Sequence, residues 1–334
     1  MKPFLIILNS IMALFLGLTF FIEPAAISIA PITIEKPVQS VKIIFAGDIM
    51  LDRGVESKVK TLGQGDFNFP FNLVADYFKK ADLVFGNLEG VISDQGTNVG
   101  SIYSFRADPR AIEGLTSAGF NVLSLANNHA FDYTRQALTD CLNRLKEANI
   151  SYVGAGLNET EAFSPLVKEI ANTKIAFLAY TNLGPASWKA TKDNSGIAWL
   201  SPDDIDKVKQ DIISAKEKAD ILVVSIHWGE EYEPLPSQTQ VDLAREIINE
   251  GADVLIGHHP HVVQTQKKYR DGWIFYSLGN FIFDQNFSIE TMASQIVELS
   301  IENKKIKDVQ TKTIKINDSF QPYLVNDDEI RDQS

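Results

Sequence analysis

Short apolar segments recur along the chain, and most are followed by a polar cluster. They are rich in Val, Ile, Leu and Phe, which is typical of buried β-strands. The segments span residues 42–46, 82–85, 121–125, 221–226, 253–256 and 273–277. Amphipathic helical patterns cover residues 133–148, 203–218 and 238–250. Strands that alternate with helices predict an α/β fold in which helices cover the sheet faces.

The pattern changes from about residue 293 onward. Apolar and polar residues alternate in 295–301 and again in 312–316. This alternation is typical of antiparallel strands with one buried face. We expect these strands to close a second sheet.

The N-terminal segment predicts a membrane anchor. Residues 4–22 contain no charged residue, and as a helix they would span roughly 28 Å, about the hydrocarbon thickness of a bilayer. Lys2 precedes the segment, which predicts a cytoplasmic N-terminus and an extracytoplasmic remainder. A cleaved signal peptide is the alternative, although Pro31 follows the best cleavage candidate. The predicted organisation is an anchor or signal in 1–23, a stalk in 24–40, a folded domain in 41–316 and an acidic tail in 317–334.

Charge and cysteine content exclude some classes of protein. The chain carries 43 acidic and 31 basic residues, for a formal net charge of -12, and has no basic stretch. Nucleic-acid binding is therefore excluded as a function, because nothing would neutralise the phosphates. Cys141 is the single cysteine, so neither an intramolecular disulfide nor a cysteine-rich zinc site can form.

The polar clusters follow the predicted strands directly. They span residues 47–48, 86–89, 126–129, 227–230, 257–261 and 278–281. Ligands of open α/β sheets bind outside the carboxyl ends of the strands, so these clusters can converge on one site. All five histidines of the chain lie within them. A single histidine at such a place is more often a structural residue held by hydrogen bonds than a metal ligand. That alternative explains poorly why all five histidines lie at strand ends.

The side chains in these clusters predict a divalent-metal site. Histidine nitrogens are available together with the carboxylates of Asp48 and Glu89 and the carbonyl oxygen of Asn128. His259 and His261 flank Pro260, and both rings could face one point if that segment is extended. This mixed nitrogen and oxygen set suits manganese, iron(II) or zinc, with one or two ions.

The motifs resemble those of the bacterial CapA-type capsule synthesis proteins over about residues 42–284. The resemblance is carried by Gly47-Asp48, Gly86-Asn87-Leu88-Glu89, Asn127-Asn128-His129, His227-Trp228-Gly229-Glu230, Gly257-His258-His259-Pro260-His261 and Gly279-Asn280-Phe281. It implies a role in making or exporting poly-γ-glutamate at the cell surface, often from a single N-terminal anchor. The motif order is also similar to that of calcineurin-type metallophosphoesterases. That similarity implies a four-layer α/β/β/α sandwich with a metal site, commonly dinuclear.

Two positions depart from the phosphoesterase pattern. Met50 stands where those enzymes usually have a histidine, and a thioether is a poor ligand for hard cations. Asn87 stands where they have an aspartate, and a neutral amide cannot bridge two cations as a carboxylate does. Glu89 could take over that role, or the site could hold a single ion.

The resemblance also implies roles for individual residues. His129 would be a general acid or transition-state donor oriented by Asp132, while Asn128, His227, His259 and His261 would complete the metal shell. Side chains expected along the substrate approach are Trp228, Glu230, Glu231, Asn280, Phe281 and Asp284. Arg53 and Arg106 could contact an anionic substrate, beside a metal that grips a carboxylate.

Two functions remain open at this level. The first is a metal-dependent hydrolase or transferase that acts on an extracellular polymer, such as poly-γ-glutamate, or on a phosphodiester. The second is a non-catalytic metal-binding scaffold in a polymer-export complex, bound to the membrane and to other capsule synthesis proteins. The His129–Asp132 pair favours the first, and the donor missing at Met50 favours the second. A third function, that of an intracellular nucleotidase, is contradicted by the predicted membrane anchor.

Overall fold

Two large β-sheets organise residues 40–201 and 204–325, the part of the chain that this computed structural model describes. The strands are, in chain order, β1 Ser40–Ile49, β2 Leu83–Leu88, β3 Val91–Ile92, β4 Arg106–Ala107, β5 Val122–Ser124, β6 Ser151–Val153, β7 Ala155–Gly156, β8 Leu166–Ile170, β9 Thr173–Thr181, β10 Gly196–Ile197, β11 Ile221–His227, β12 Val254–His258, β13 Gln266–Tyr269, β14 Gly272–Phe275, β15 Asn280–Ile282, β16 Ala293–Glu302, β17 Lys305–Ile316 and β18 Pro322–Leu324. The helices are α1 Arg53–Thr61, α2 Ala75–Phe78, α3 Ala111–Ala118, α4 Thr134–Glu147, α5 Glu159–Phe163, α6 Ile205–Lys216 and α7 Gln238–Asn249.

The first sheet has the order β18-β17-β16-β1-β2-β5-β6, with β15 beside the carboxyl end of β1. Strands β1, β2, β5 and β6 are parallel, whereas β16, β17 and β18 run antiparallel to their neighbours. The expectation that the alternating strands close a second sheet is wrong, because β16 pairs directly with β1. The buried face of β16, with Val297 and Leu299, packs into the same core as Ile43 and Phe45 of β1.

The second sheet has the order β13-β14-β12-β11-β9-β8. Its inner strands β14, β12, β11 and β9 are parallel, and β13 and β8 pair antiparallel at the two edges. Strand β9 was not among the predicted strands, although all but one of its residues are buried. Together the two sheets confirm the predicted α/β class.

Apolar clusters lie between the sheets and on their outer faces. Between the sheets, the rings of Phe85 and Phe177 stack with centroids 5.7 Å apart. On the outer face of the first sheet, Ile44 and Val84 share a cluster with residues of α1, α3 and α4. On the outer face of the second, Leu222 shares a cluster with residues of α6 and α7. Helices therefore cover the faces that the strands turn away from each other.

The helix that follows the central strand of the second sheet has a well-defined start. Ser237 accepts the backbone N–H of Gln240, and the Gln240 side chain accepts the N–H of Ser237. This capping box satisfies two backbone donors that the first turn would otherwise leave without a partner. It fixes where α7 begins, and so limits the length of the loop between His227 and the helix.

Both ends of the chain extend beyond the described part. The predicted anchor or signal and all but the last stalk residue, residues 1–39, lie outside it, as do 326–334 of the acidic tail. Among the helices of residues 40–201 and 204–325 there is none with the length and apolar character needed to cross a membrane. The fold continues past the predicted domain boundary at 316, since Pro322–Leu324 pairs with β17 and Phe320 is buried.

Candidate metal centre and catalytic site

Two buried carboxylates lie at the carboxyl ends of β1 and β2. Asp48 accepts the Nδ2–H of Asn87 at 2.9 Å and the backbone N–H of His259 at 3.1 Å. Glu89 is 2% exposed, and neither of its side-chain oxygens has a hydrogen-bond partner. Burial raises the pKa of Glu89 well above its ordinary value, and the nearby charges of Asp48, Glu231 and Asp132 raise it further. A bound cation would supply the compensating charge that this carboxylate lacks.

His227 and Asn128 meet opposite these carboxylates. The Nε2 atom of His227, at the end of β11, lies 2.7 Å from Oδ1 of Asn128. Side chains that share an ion at about 2.1 Å place neighbouring donor atoms about 3 Å apart, so this pair has suitable spacing. Burial lowers the pKa of His227 well below its ordinary value, and the other histidines lower it further. The imidazole is therefore neutral at physiological pH, as a metal ligand must be.

The turn after β12 brings His259 and His261 to the same place. Both residues have left-handed backbone angles, with φ of 97° and 60°, so they converge through a tight turn and not through an extended segment. Nδ1 of His261 donates to Oδ1 of Asn280 at 2.8 Å, which leaves its Nε2 3.7 Å from Oε1 of Glu89. Burial lowers the pKa of His259 to about 3, and its buried Nδ1 has no hydrogen-bond partner.

Two groups of side chains could hold a metal ion. Donor atoms of Asp48, Glu89 and His227 all lie within 4.8 Å of one another, and so do those of Glu231, His259 and His261. Two ligands that each lie about 2.1 Å from one ion are at most about 4.2 Å apart, so small movements suffice in either group. The unpartnered atoms of Glu89 and His259 fit the same interpretation. The residues therefore fit a divalent cation.

His129 is held in a defined orientation beside these groups. Its Nδ1 donates to Oδ2 of Asp132 at 2.7 Å, and the same carboxylate oxygen accepts the backbone N–H of Phe105 at 2.8 Å. The Phe105 ring packs against the imidazole with centroids 4.1 Å apart. Nε2 of His129 lies 3.7 Å from Oε1 of Glu89. The free nitrogen of an oriented imidazole therefore faces the candidate metal position.

A cavity of about 190 Å³ opens onto this centre. It is lined by polar side chains and by four aromatic ones: Arg53, His129, Glu231, His261, Asp284 and Gln285, with Tyr103, Phe105, Tyr232 and Phe287. Arg53 forms an ion pair with Asp284 and lies over the Phe105 ring, 4.6 Å from its centroid. A guanidinium in this place could orient an anionic group of a substrate.

Five residues predicted to line the approach or to contact the substrate lie outside the cavity, and one of them, Asn280, is described below. Arg106 donates to the backbone oxygen of Gln95 at 3.0 Å and stacks on Tyr133, so it fixes a loop and does not line the cavity. Glu230 is exposed and also does not line the cavity. Trp228 donates to the backbone oxygen of Tyr276, and Phe281 stacks on Phe78 in the core.

Asn280 has a positioning role behind the metal groups. It is fully buried and pairs with Asp48 in the short parallel contact between β15 and β1. While its Oδ1 accepts from His261, its Nδ2 donates to Oε1 of Gln285 and to the backbone oxygen of Thr291. These bonds fix the tautomer of His261 and turn its Nε2 toward Glu89.

Glu231 and His258 stand out only in the structure. Glu231 joins the two histidines of the second donor group, although the sequence suggested it only as a residue of the approach. Nδ1 of His258 lies 3.1 Å from Oδ1 of Asp48. Burial raises the pKa of Asp48, but the adjacent His258 imidazole, with smaller contributions from His261 and the His259 N–H, lowers it overall. The sequence did carry a signal for His258, because this residue lies at the end of a predicted strand and next to His259, a predicted ligand.

The two departures from the phosphoesterase pattern have structural consequences. Met50 is fully buried, and its sulfur accepts the backbone N–H of Asp52 at 3.2 Å. Asn87 donates from one amide nitrogen to Asp48, and that nitrogen lies 3.2 Å from Nδ1 of His227. Met50 is therefore part of the core, and Asn87 donates a hydrogen bond to one candidate ligand, Asp48, and lies beside another, His227.

Solved structures share this fold. A novel phosphatase from Mycoplasma pneumoniae superimposes with a TM-score of 0.51 at 17% identity, covering 88% of this chain and 97% of that one. A hypothetical protein from Thermus thermophilus gives 0.50 at 16% identity, with coverages of 82% and 99%. A putative 5'-nucleotidase from Staphylococcus aureus gives 0.50 at 14%, with coverages of 88% and 58%. At these identities the likeness shows the fold alone, a mixed α/β fold like that of metallophosphoesterase-like proteins.

Sequence relatives identify the family. The model of the bacterial capsule synthesis protein family PGA_cap matches residues 42–285. Capsule biosynthesis protein CapA of Bacillus anthracis is 35% identical over 284 residues, which cover 83% of this chain and 67% of the relative. PGA biosynthesis protein CapA of Bacillus subtilis (strain 168) is 32% identical over 293 residues, with coverages of 87% and 75%. The resemblance inferred from the motifs is confirmed, and the chain belongs to the PGA_cap family of bacterial capsule synthesis proteins.

Proposed function

We propose that this protein is a metal-dependent hydrolase or transferase of poly-γ-glutamate capsule synthesis or export. Its relatives carry the names capsule biosynthesis protein and PGA biosynthesis protein, which supports the pathway and a polyanionic polymer as the partner. The catalytic part of the proposal rests on one observation. His129, oriented by Asp132, presents Nε2 to a cavity that also opens onto the candidate metal groups.

The residues of the site suggest a division of labour. One or two manganese, iron(II) or zinc ions, held by Asp48, Glu89, Asn128 and the histidines, would supply Lewis-acid activation and a nucleophilic hydroxide near neutral pH. His129 can deliver a proton from Nε2 to the departing group, because Asp132 holds the proton on Nδ1 and stabilises the imidazolium form. Arg53 can orient an anionic substrate group, and the aromatic lining of the cavity limits water around it.

The proposed location is the cell surface. The uncharged segment 4–22 would anchor the protein by a single N-terminal helix, and the folded domain would lie outside the cytoplasm, secreted if the segment is cleaved. We also propose that the fold has the four-layer α/β/β/α arrangement that the similarity to metallophosphoesterases implies. Other capsule synthesis proteins would be further partners at the membrane.

The catalytic proposal predicts a large loss of rate without His129. Purified full-length protein, loaded with manganese, would be assayed on γ-linked glutamate oligomers and on a chromogenic phosphodiester. We expect His129→Ala to reduce kcat by about 10²- to 10⁴-fold, the usual range for a lost general acid. Asp132→Asn should reduce kcat in the same direction, whereas Asp94→Asn, at an exposed carboxylate paired with Arg144, should not change it. Equal rates for His129→Ala and the unaltered protein, with normal circular dichroism, would contradict catalysis by this pair.

A non-catalytic metal-binding scaffold is the second candidate. It is favoured by Asn87, which donates to Asp48 and lies beside His227 where the phosphoesterases have a bridging carboxylate, because a neutral amide cannot bridge two cations. Capsule production in cells that carry variants separates the two functions. An enzyme requires both Asp48 and His129, whereas a scaffold would tolerate His129→Ala and still fail with Asp48→Asn.

A further inference from the structure

We infer that Glu231 is a metal ligand that replaces the donor missing at Met50, and that with His259 and His261 it forms a second cation position. This inference rests on the metal-binding part of the proposed function and not on its catalytic part. The resulting site would use a carboxylate from the loop after β11. The phosphoesterase motif would instead place a histidine donor directly after β1, where this chain has Met50.

The donor atoms of this group are already close together. Those of Glu231, His259 and His261 lie within 4.8 Å of one another. His259 is almost fully buried, since only 6% of it is exposed, and its Nδ1 has no hydrogen-bond partner. Nε2 of His261 is free of the Asn280 hydrogen bond that occupies Nδ1. Two buried imidazoles with nitrogen atoms available, and one carboxylate, form a donor set that divalent transition metals bind well.

The backbone explains why Glu231 and not Glu230 reaches the site. Gly229 has φ of 88°, which turns the chain sharply after β11, and Tyr232 has φ of 65°. The N–H of Tyr232 donates to the carbonyl of Pro260 at 2.8 Å, so the loop is tied to the turn that carries both histidines. Glu231 therefore lines the cavity, whereas its neighbour Glu230 does not.

The balance of charge supports a second cation. His261 lies 3.8 Å from Oδ2 of Asp48 and 3.7 Å from Oε1 of Glu89 and shares a donor group with Glu231, so three carboxylates meet around this side chain. Arg53 also lines the cavity, but it is paired with Asp284. Carboxylates that are this close repel one another unless a cation lies between them.

Metal stoichiometry of the full-length protein tests the inference. The protein would be stripped with a chelator and reloaded with Mn²⁺, and the bound metal would be counted by mass spectrometry. Electron paramagnetic resonance would then report whether two ions are magnetically coupled. We expect two ions per chain and a coupled spectrum for the unaltered protein. Glu231→Gln should retain one ion and bind the second about 100-fold or more weakly, with an uncoupled spectrum, while Glu230→Gln should retain two.

The outcomes decide the inference without any measurement of activity. It is overturned if the unaltered protein binds fewer than two ions, or if Glu231→Gln binds two with unchanged affinity. It is also overturned if Glu230→Gln loses an ion to the same extent as Glu231→Gln. A protein that loses one ion only with Glu231→Gln, yet cleaves no substrate, would support the inference and contradict the catalytic proposal.

Discussion

Glu89 combines burial with a complete lack of hydrogen-bond partners on its carboxylate. Burial raises its pKa, and the charges of Asp48, Glu231 and Asp132 add to that effect. Between the unfolded-state pKa near 4.5 and the raised pKa of the folded state, the folded protein binds more protons than the unfolded chain. The contribution of Glu89 to stability therefore falls as pH rises through this window.

At the residue scale we predict that Glu89→Gln stabilises the metal-free protein at pH 7. The substitution removes the cost of either burying the carboxylate charge or holding a proton on it at this pH, and the free energy of unfolding should rise by about 1–3 kcal/mol. Urea denaturation with and without Mn²⁺ measures this, and the stabilisation by added metal should shrink in the variant because a ligand is lost. Glu230→Gln, at an exposed position outside the cavity, should change stability by less than about 0.5 kcal/mol. A destabilised metal-free Glu89→Gln protein would refute this account.

At the scale of elements, a close backbone approach positions the ligands. A Cβ atom on Gly47, at the carboxyl end of β1, would lie 2.0 Å from the carbonyl oxygen of Gly279. The N–H of Asp48 donates to that same carbonyl at 3.0 Å. The approach lets β15 pair with β1 after β16 has separated from it, and it places Asn280 opposite Asp48.

We predict that Gly47→Ala separates β1 from β15 and weakens metal binding. The methyl group cannot be accommodated without movement of a backbone carbonyl, so the unfolding free energy should fall by about 3 kcal/mol or more. Mn²⁺ affinity, measured by calorimetry, should fall as well because Asp48 and Asn280 shift. Gly65→Ala is the comparison, since a Cβ there meets no atom within 4 Å. It should cost only the backbone strain of a positive φ, about 1–2 kcal/mol, and leave metal affinity intact. Equal Mn²⁺ affinities in the two variants would contradict this prediction.

At the scale of the whole molecule, the two sheets bury a group of neutral histidines between the ends of their strands. His227, His259 and His261 all have pKa values lowered by burial as the largest cause. The unfolded chain takes up protons at these residues below about pH 6.5, whereas the folded state resists protonation. Their contribution to stability is therefore complete above pH 6.5 and is lost as pH falls.

We predict that the metal-free protein loses stability steeply between pH 6.5 and pH 4. His259, with its pKa lowered to about 3, should contribute up to about 1.4 kcal/mol per pH unit over most of this range. Glu89 acts in the opposite direction, but a single carboxyl is outweighed by three histidines. Denaturant unfolding of the metal-free protein at pH 7.5, 5.5 and 4.5 measures the slope, and His259→Gln should make it shallower. A constant or rising unfolding free energy toward pH 4.5 would be inconsistent with buried neutral histidines.

The pattern along the chain was sufficient to predict the α/β class and several of the buried strands. Continuous apolar runs such as 42–46 and 221–226 are typical of strands that are buried on both faces. Such a run can be recognised from the local composition alone. Each run is followed by histidine, carboxylate or amide side chains. A polar centre was therefore predicted where these strands end, which in the structure are β1, β2, β11 and β12. Asp48, Glu89 and His227 do lie together there.

Contacts between distant segments decided the rest. Alternation in 295–301 predicts a half-buried strand but not its partner, and β16 joins β1 because their apolar faces share one core. Sequence alone could not distinguish Glu230 from Glu231, since the direction of a loop side chain depends on the φ of Gly229 and on the bond from Tyr232 to Pro260. Local composition determines whether a segment is buried, whereas the convergence of particular atoms depends on long-range packing and hydrogen bonds.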